Sequence, residues 1–375
     1  MSSVFTRAEM QARLATLQAR LVERGIDLAL FDEMEALFWV AGYANSENRW
    51  RACLVPAAGE PFFVIRALDA APLRQRTWLT EIVTYRDWED PMAALAEAVA
   101  ARGLGGATIG TDHYSYGMPV ARFARLREAL PQARFVDLGR LAWELRLVKS
   151  AAEIALLRQA AGIADKAMAA AIARCKPGGA QREAAAAAIA AYLAHGADPG
   201  PAGPITAGRG WDFLHGHLGD EPLAAGDIVH LELTPRVSGY SGRLMRCVAV
   251  GGASPEQRDA AARLRALQDA QIAALRPGAL ASEVDAVLRE PMLRDGLRPS
   301  FDNISGYTLG YYHPAGPHTS DFTRCFHPAA QWRVEAGMVF HMYASAQGLS
   351  FSETVLVGEG GPERLTQTPR VLFET

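Results

Sequence analysis

A strict alternation of apolar and polar residues marks the middle of the chain, at residues 229–234. This period of two predicts a β-strand with one buried face and one polar face. A turn signal follows at Ser238 and Gly239, and a second apolar segment lies beyond it, so the pattern predicts a long antiparallel hairpin. Folding the chain about this turn places Glu232 roughly opposite Arg243, on the polar face of the hairpin.

A second copy of this pattern lies near the C-terminus. Residues 336–343 repeat the sequence of residues 225–232, and residues 355–358 repeat that of residues 248–251. Two segments with apolar residues at helical spacing precede each copy, so the C-terminal part is predicted to form two helices and a hairpin, twice over. Two related hairpins whose polar faces converge enclose a cavity, and such a cavity is a candidate ligand site.

The first part of the chain shows a different order of elements. Apolar residues at helical spacing occupy residues 7–25, and short apolar runs typical of buried strands follow at residues 26–31 and 37–40. Helical and strand patterns then continue to alternate as far as residue 145. This alternation predicts an α/β domain at the N-terminus.

The boundary between the two parts is predicted from a helix start signal. Ser150 with Glu153 three residues later forms a capping-box pattern, in which each side chain accepts a backbone N–H of the first turn. The helix that begins there opens the duplicated part. We therefore predict one domain at residues 1–145 and a second at residues 146–375.

Composition narrows the class of protein and of partner. The 375 residues carry a formal net charge of −3 with no basic run, which argues against nucleic acid and anionic membranes as partners. No stretch approaches the roughly 20 apolar residues that span a bilayer, and the N-terminus enters an amphipathic helix, so a cytoplasmic protein is expected. The four cysteines are scattered without a Cys-x-x-Cys pair, which predicts neither a disulfide framework nor a zinc site.

Several short motifs follow one another in a characteristic order. They are Leu-Arg-Leu-Val-Lys-Ser-Ala-Ala-Glu-Ile at residues 145–154, Lys-Pro-Gly at 176–178, Gly-Asp-Ile-Val at 226–229, Gly-Met-Val-Phe at 337–340 and Glu-Thr-Val-Leu-Val at 353–357. Together with the duplicated hairpins, this order resembles the pita-bread fold of the creatinase, aminopeptidase P and prolidase superfamily. The resemblance implies an α/β N-terminal domain and an α+β pita-bread C-terminal domain with an internal pseudo-twofold repeat.

The metallopeptidases of this superfamily bind two divalent ions through two Asp, one His and two Glu side chains, a ligand set that activates water. Local alignment with their motifs places other residues at these positions, namely Glu232, Arg243, Tyr307, Tyr343 and Ser352. One of these positions can still coordinate a metal ion, and a guanidinium at the second position repels a cation. We therefore expect no dinuclear metal site and no cofactor.

Within the superfamily the sequence is most similar to the ectoine-hydrolase branch. This branch and creatinase look metal-free and open carbon–nitrogen bonds in small zwitterions. The residues that carry the similarity lie at 66–69, 306–310, 337–341, 349–357 and 369–373. The loop at residues 313–318 departs from the branch, as do Arg243 and Met245 on their strand. The similarity implies a homodimer and a small zwitterionic substrate.

Two histidines and two glutamates are candidates for the chemistry. His215 lies eleven residues before Gly226, the spacing of the catalytic histidine in creatinase-like enzymes, and it can pass a proton to a departing nitrogen. His217 on the same segment competes for this role. Glu232 is a candidate nucleophile or base, and its alternative is a structural pairing with an arginine. The resemblance implies that Glu353 is catalytic, whereas alternation along its strand turns it away from the polar face unless a β-bulge intervenes.

A zwitterionic substrate needs a side chain that holds its carboxylate, and arginine does so in bidentate fashion. Arg243 and Arg66 are candidates for this contact. Trp50 and Arg51 are further candidates, because creatinase-like dimers extend an aromatic residue and an arginine from this region into the partner's site. Three more residues line the site or fill the core beside it, and these are Tyr307, Tyr343 and His341.

The favoured hypothesis is a metal-independent, homodimeric hydrolase that opens a non-peptide carbon–nitrogen bond in a small cyclic amidine or guanidino zwitterion. In this hypothesis His215 is the acid–base group and Glu232 the nucleophile or base. A second hypothesis is a catalytically silent relative that binds a peptide or small ligand. A third is a metal-dependent Xaa-Pro peptidase.

Overall fold

The computed structural model describes residues 4–44, 48–209, 214–313 and 323–375. The described residues form two compact units, the first ending at Arg146 and the second beginning at Leu147. None of the helices in these ranges has the length and apolar character needed to cross a membrane. Most of the loop at residues 313–318, which departs from the ectoine-hydrolase pattern, lies outside the described residues.

The first unit is built on one mixed sheet. Its elements are α1 (Arg7–Glu23), β1 (Leu28–Phe31), α2 (Met34–Ala41), β2 (Ala52–Pro56), β3 (Phe62–Arg66), a 3₁₀ turn (Ala67–Asp69), α3 (Ala70–Arg76), β4 (Glu81–Tyr85), α4 (Pro91–Ala100), β5 (Thr108–Thr111), α5 (Val120–Ala129), β6 (Arg134–Asp137) and α6 (Leu141–Glu144). The strand order is β4-β3-β2-β1-β5-β6, with β2 antiparallel to both its neighbours and the other pairs parallel. The predicted α/β class of this unit is confirmed.

One predicted element of the first unit is wrong. Residues 37–40, predicted as a strand, belong to the helix α2, and every side chain of that helix is buried. Gly42 ends the helix with a φ of 72°, a left-handed conformation that glycine adopts without strain. A short apolar run fits a fully buried helix as well as a buried strand, so periodicity alone does not separate the two.

The second unit contains two long helix pairs and a larger sheet. Its elements are α7 (Ala151–Ile172), α8 (Gln181–Ala194), β7 (Ile205–Gly208), β8 (Ile228–Leu233), β9 (Arg236–Val237), β10 (Tyr240–Ser241), β11 (Leu244–Ala249), α9 (Pro255–Ala273), α10 (Ala281–Arg294), β12 (Gly306–Thr308), β13 (Val339–Ala346), β14 (Leu349–Gly358), β15 (Gly361–Arg364) and β16 (Phe373–Glu374). The main order is β12-β13-β14-β11-β8-β7, with β15 paired to β14 and β16 to β11.

The predicted duplication is present in this unit. Two helices and a hairpin occur twice, as α7, α8 and β8–β11 and again as α9, α10 and β13–β14. The loop between the two helices of each pair makes an equivalent backbone hydrogen bond. The N–H of Gly178 donates to the carbonyl of Leu223 at 2.8 Å, and the N–H of Gly278 donates to that of Val334 at 2.8 Å.

The two faces of the large sheet differ in what covers them. Leu231 and Leu233 pack with the buried residues of α7 and α8, and Phe340 and Val355 pack with those of α9 and α10. Because paired residues point to the same side of a sheet, the strand registers place these four side chains on one face. We call it the outer face and the opposite one the inner face.

Candidate functional site

The inner face carries a band of polar side chains. They are His230, Glu232, Tyr307, His341, Tyr343, Ser350, Ser352 and Thr354, and all but Tyr343 are buried. The register aligns one row across four strands, because Glu232 faces Met245, Met245 faces Ser352 and Ser352 faces Tyr343. Four neighbouring strands therefore direct functional groups toward one region.

The tip of the first hairpin is a tight two-residue turn. Ser238 and Gly239 both have positive φ, at 49° and 82°, which is the conformation of the type I′ turn that joins antiparallel strands. Beside the turn, Val237 of β9 pairs with Tyr240 of β10, and Arg236 pairs with Ser241. The turn predicted at these two residues is confirmed, and it fixes which side chains reach the inner face.

The position of Arg243 differs in one detail from the prediction. Met245 lies directly opposite Glu232, whereas Arg243 immediately precedes β11, two residues from Met245 and so toward the same face. Nη1 of Arg243 lies 3.9 Å from Oε1 of Glu232, and the two side chains are only 9% and 6% exposed. Removing one partner of a buried ion pair destabilises a protein far more than removing one partner of an exposed pair.

Arg243 also begins a chain of hydrogen bonds across the inner face. Its Nη1 donates to the phenol oxygen of Tyr307 at 2.5 Å, and that oxygen lies 2.8 Å from Nδ1 of His341. When the phenol donates to Nδ1, the imidazole proton resides on Nε2. Nε2 of His341 is buried and has no hydrogen-bond partner among the described residues.

Two histidines of the inner face are held neutral. Burial, with a smaller contribution from the nearby Arg243, lowers the pKa of His341 well below its ordinary value. Burial lowers the pKa of His230 to about 3, and the imidazole of His215 adds to this effect. Nδ1 of His230 lies 2.6 Å from the hydroxyl of Ser350. At neutral pH both imidazoles therefore act as hydrogen-bonding groups without charge.

Tyr343 supplies a phenol to the row that contains Glu232, with Met245 and Ser352 between them. Burial raises its pKa to about 12, and the negative charge of Glu232 adds to this rise. The amide of Asn303 donates to its oxygen at 3.2 Å. A protonated phenol here can donate a hydrogen bond to a ligand.

These side chains do not fit a pair of divalent ions. The register brings Glu232, Tyr307, Tyr343 and Ser352, four of the five residues that local alignment sets against the metal ligands, onto one face with Arg243. Within the described residues there is no group of three or more His, Cys, Asp or Glu side chains able to hold a metal ion. Neutral phenols and a guanidinium are poor donors for hard cations, which favour carboxylates and imidazole.

Glu353 does not occupy the place predicted for a catalytic residue. It pairs across the sheet with Met342, so its side chain points to the outer face, away from Glu232. It is fully buried, and Nη2 of Arg246 donates to its Oε1 at 2.8 Å while the hydroxyl of Thr366 donates to Oε2. No bulge re-aims this side chain, because the pairing of β13 with β14 is continuous. The structure assigns Glu353 to a structural ion pair.

His215 and His217 lie in the segment that leads into β8, and both are exposed. The imidazole of His215 contributes to the low pKa of His230. The acid–base role of His215 stays a prediction.

The first unit contains three further candidates. Nε1 of Trp50 donates to Asp32 at 2.8 Å, so its ring is part of the core. Arg66 makes a bidentate pair with Asp87, at 2.6 and 2.8 Å, through Nε and Nη2. Arg51 is buried, and its Nη2 has no partner among the described residues.

Thr206 is a residue of the inner face that sequence reasoning did not single out. Its Oγ1 is buried and, like Oγ of Ser352 and Nε2 of His341, lacks a hydrogen-bond partner among the described residues. Thr206 faces His230 across β7 and β8. Buried polar atoms are usually satisfied, so these three groups are candidates to bind a polar ligand. The period-two pattern of each strand was the signal that would have found them.

The fold and this site define the class of protein, a two-domain pita-bread protein with a polar site between its repeats. The model described as metallopeptidase family M24 matches residues 155–359, and the model described as creatinase/prolidase N-terminal domain matches residues 13–148. The chain therefore belongs to family M24 and carries the creatinase-type N-terminal domain. The predicted superfamily and fold are confirmed, and the family is one of hydrolases.

Relatives with different activities are about equally similar. The chain is 25% identical over 401 residues to ectoine hydrolase of Halomonas elongata, covering 98% of each protein. It is 28% identical over 236 residues to Xaa-Pro dipeptidase of Pyrococcus furiosus, covering 61% of this chain and 66% of the relative. The crystal structure of prolidase from Thermococcus sibiricus superposes with a TM-score of 0.84 at 22% identity, covering 98% and 99% of the two chains.

Proposed function

We propose that this chain is a hydrolase that opens a non-peptide carbon–nitrogen bond in a small zwitterion, a cyclic amidine or guanidino compound, without a pair of divalent ions. The position of Arg243 carries the proposal. This guanidinium stands at a former metal-ligand position, 3.9 Å from Glu232 and 2.5 Å from the phenol of Tyr307. A fixed positive charge there holds a carboxylate and stabilises negative charge that develops during reaction.

The carboxylate of Glu232 supports two routes to the same product. As a base it takes a proton from water, and the water oxygen then bonds to the electron-poor carbon as the carbon–nitrogen bond breaks. As a nucleophile it bonds to that carbon itself, and water later releases the acyl or amidine group. In both routes the departing nitrogen needs a proton, and His215 is the proposed donor.

Similarity to ectoine hydrolase along the whole chain supports this proposal, at 25% identity. The proposal extends to a cytoplasmic homodimer, since creatinase-like enzymes are dimers. In that dimer Arg51, with its unused Nη2, is the residue of the first unit best suited to meet a substrate carboxylate.

Replacing His215 by Ala should lower kcat by about 100-fold or more, because the leaving nitrogen then departs without a positioned acid. Turnover of ectoine and of creatine can be followed by mass spectrometry, with His217→Ala as the matched control on the same exposed segment. An unchanged rate in the His215 variant would remove this residue from the mechanism. Ligand binding without turnover in the unmodified protein would favour the catalytically silent relative.

A second candidate function is a metal-dependent Xaa-Pro peptidase, favoured by the 28% identity over 236 residues to the Pyrococcus furiosus dipeptidase. The residues at the ligand positions argue against it. We expect activity on the zwitterion to survive dialysis against EDTA, and added Mn²⁺ to produce no cleavage of a Xaa-Pro dipeptide. Elemental analysis that finds about two equivalents of Mn, Zn or Fe per chain, together with peptidase activity that follows the metal, would establish the peptidase.

A further inference from the structure

Asn303 lies outside the strands of the inner face, in the loop between α10 and β12. Its side chain nevertheless reaches the inner face, because Nδ2 donates to the phenol oxygen of Tyr343 at 3.2 Å. Nδ2 also donates to the carbonyl of Ile304 at 2.8 Å. Both hydrogens of this amide therefore have acceptors, and one of them contacts a phenol of the candidate site.

The direction of this amide is set by an arginine. Nη1 of Arg298 donates to Oδ1 of Asn303 at 2.9 Å. A guanidinium carries donors only, so the amide atom that meets it is the oxygen, and the NH₂ group is turned toward Tyr343. The guanidinium of Arg298 is itself packed, since its Cζ lies 4.3 Å from the centroid of the Phe301 ring. A flipped amide would set donor against donor at Arg298 and acceptor against acceptor at Ile304.

The backbone of this loop is fixed by a buried ion pair on α10. Nη2 of Arg289 donates to the carbonyl of Asn303 at 2.9 Å, and Nη1 donates to the carbonyl of Phe301. The same guanidinium pairs with Asp285, with Nε at 2.5 Å from Oδ2, and both side chains of the pair are buried. Asn303 is exposed, yet the segment that carries it is anchored to buried groups.

The contact with Asn303 determines what the phenol of Tyr343 can do. Because the NH₂ group of an amide donates, Tyr343 accepts this hydrogen bond and does not use its own hydroxyl hydrogen for it. No residue that the structure describes accepts that hydrogen. Burial raises the pKa of Tyr343 to about 12, and the hydrogen bond from Asn303 offsets part of this rise. The phenol therefore keeps its hydrogen at neutral pH and can donate it.

The ring of Tyr343 packs against two other side chains of the inner face. Its centroid lies 6.0 Å from that of Tyr307 and 5.6 Å from that of His341. Both of these residues belong to the hydrogen-bonded chain that begins at Arg243. The ring is thereby held on the inner face, where its hydroxyl hydrogen can meet a bound molecule.

We propose that Asn303 is a positioning residue, which makes the phenol of Tyr343 a hydrogen-bond donor to a ligand on the inner face. The ligand must offer an acceptor there, and a carbonyl or carboxylate oxygen is one that carries no hydrogen of its own. That this ligand is the substrate rests on the function proposed above. The direction in which the phenol donates does not, since it follows from the contacts of Asn303 with Arg298 and Tyr343.

The test compares two replacements that differ in the direction of this hydrogen bond. Asn303→Asp keeps the shape of the side chain, but its carboxylate accepts, so it takes the hydroxyl hydrogen of Tyr343 away from the ligand. Asn303→Ala removes the contact and leaves that hydrogen free. We expect kcat/KM on ectoine or creatine to fall about 10-fold or more in Asn303→Asp and only about 3-fold in Asn303→Ala. A merely structural asparagine would give the opposite order, because an aspartate retains the contact with Arg298.

The matched control repeats Asn303→Asp in a Tyr343→Phe protein. If Asn303 acts through the phenol, this second replacement should change kcat/KM by less than about twofold, since no hydroxyl is left to redirect. An effect as large as in the protein that retains Tyr343 would assign the loss to the added negative charge and overturn the proposal. The Tm of each variant shows whether it is folded.

A further measurement needs no turnover. In protein labelled with ¹³C at the ζ-carbon of tyrosine, the signal of Tyr343 is the one that Tyr343→Phe removes. It should move toward the value of a tyrosinate in Asn303→Asp, because the phenol then shares its hydrogen with a carboxylate, and it should not do so in Asn303→Ala. An unmoved signal in Asn303→Asp would refute the positioning role. The expected shift without turnover of either zwitterion would instead refute the hydrolase and leave the direction of the phenol established.

Discussion

Replacement of Glu232 by Gln should lower kcat by about 100-fold to 10,000-fold, the range that a positioned base contributes. Glutamine has nearly the same shape, so it preserves the packing on the inner face, but its amide neither takes a proton nor attacks carbon. The charge of Arg243 loses a partner at 3.9 Å and keeps its hydrogen bond to Tyr307 at 2.5 Å. We therefore expect a large loss of activity, with a loss of stability smaller than that of Glu353→Gln, because the contact at 3.9 Å is longer than a hydrogen bond.

The matched control is Glu363→Gln, at a glutamate that is 50% exposed and paired with Arg158 on the surface of the same unit. Turnover, the far-ultraviolet spectrum and the Tm should be measured for both variants. A Glu232→Gln protein with nearly normal kcat on the true substrate would exclude this side chain as nucleophile or base. A variant that is inactive only because it unfolds would be recognised from its Tm.

The features that sequence could predict are those that depend on local pattern. Alternation at residues 229–234 fixed both the strand and the face of Glu232, and the pair Ser238-Gly239 fixed the turn. The duplicated hairpins predicted the polar face between the repeats, which the structure confirms. These signals are local because side-chain direction in a strand repeats every two residues.

The features that sequence could not predict depend on register and on distant partners. The sequence placed Arg243 only roughly opposite Glu232, and the register puts Met245 there with Arg243 two residues away, since register depends on the number of residues in the turn. The bidentate pair of Arg66 with Asp87 joins residues that are 21 positions apart, and no periodicity reports such a contact.

Glu353 shows how two kinds of sequence argument compete. Resemblance to the superfamily favoured a catalytic carboxylate near the end of the chain, whereas alternation placed Ser352 on the inner face and turned Glu353 outward. The register, in which Ser352 faces Tyr343, agrees with alternation. For the direction of the Glu353 side chain, the two-residue period of the strand is therefore a better predictor than position within the motif.

Replacement of Glu353 by Gln should destabilise the protein by about 3 to 5 kcal/mol, the usual effect of breaking a buried ion pair. Arg246 is 0% exposed and would keep its charge while losing the acid that it contacts at 2.8 Å. Nε of Arg370 lies 3.5 Å from the same oxygen, so a second guanidinium loses one counter-charge and keeps the other, Asp269. Urea unfolding followed by tryptophan fluorescence would measure the difference.

The buried pair also holds the end of the chain against the sheet. The guanidinium of Arg246 donates to the carbonyls of Thr368 and Pro369, and Thr366 donates to Glu353, so the segment after β15 depends on both charges. Removing both charges by Arg246→Met with Glu353→Leu should recover part of the stability that either single replacement loses, because no unpaired charge is left buried. At temperatures where Glu353→Gln is folded, its kcat should remain near normal. A folded Glu353→Gln protein with kcat reduced as far as that of Glu232→Gln would show that the outer-face carboxylate acts in the reaction after all.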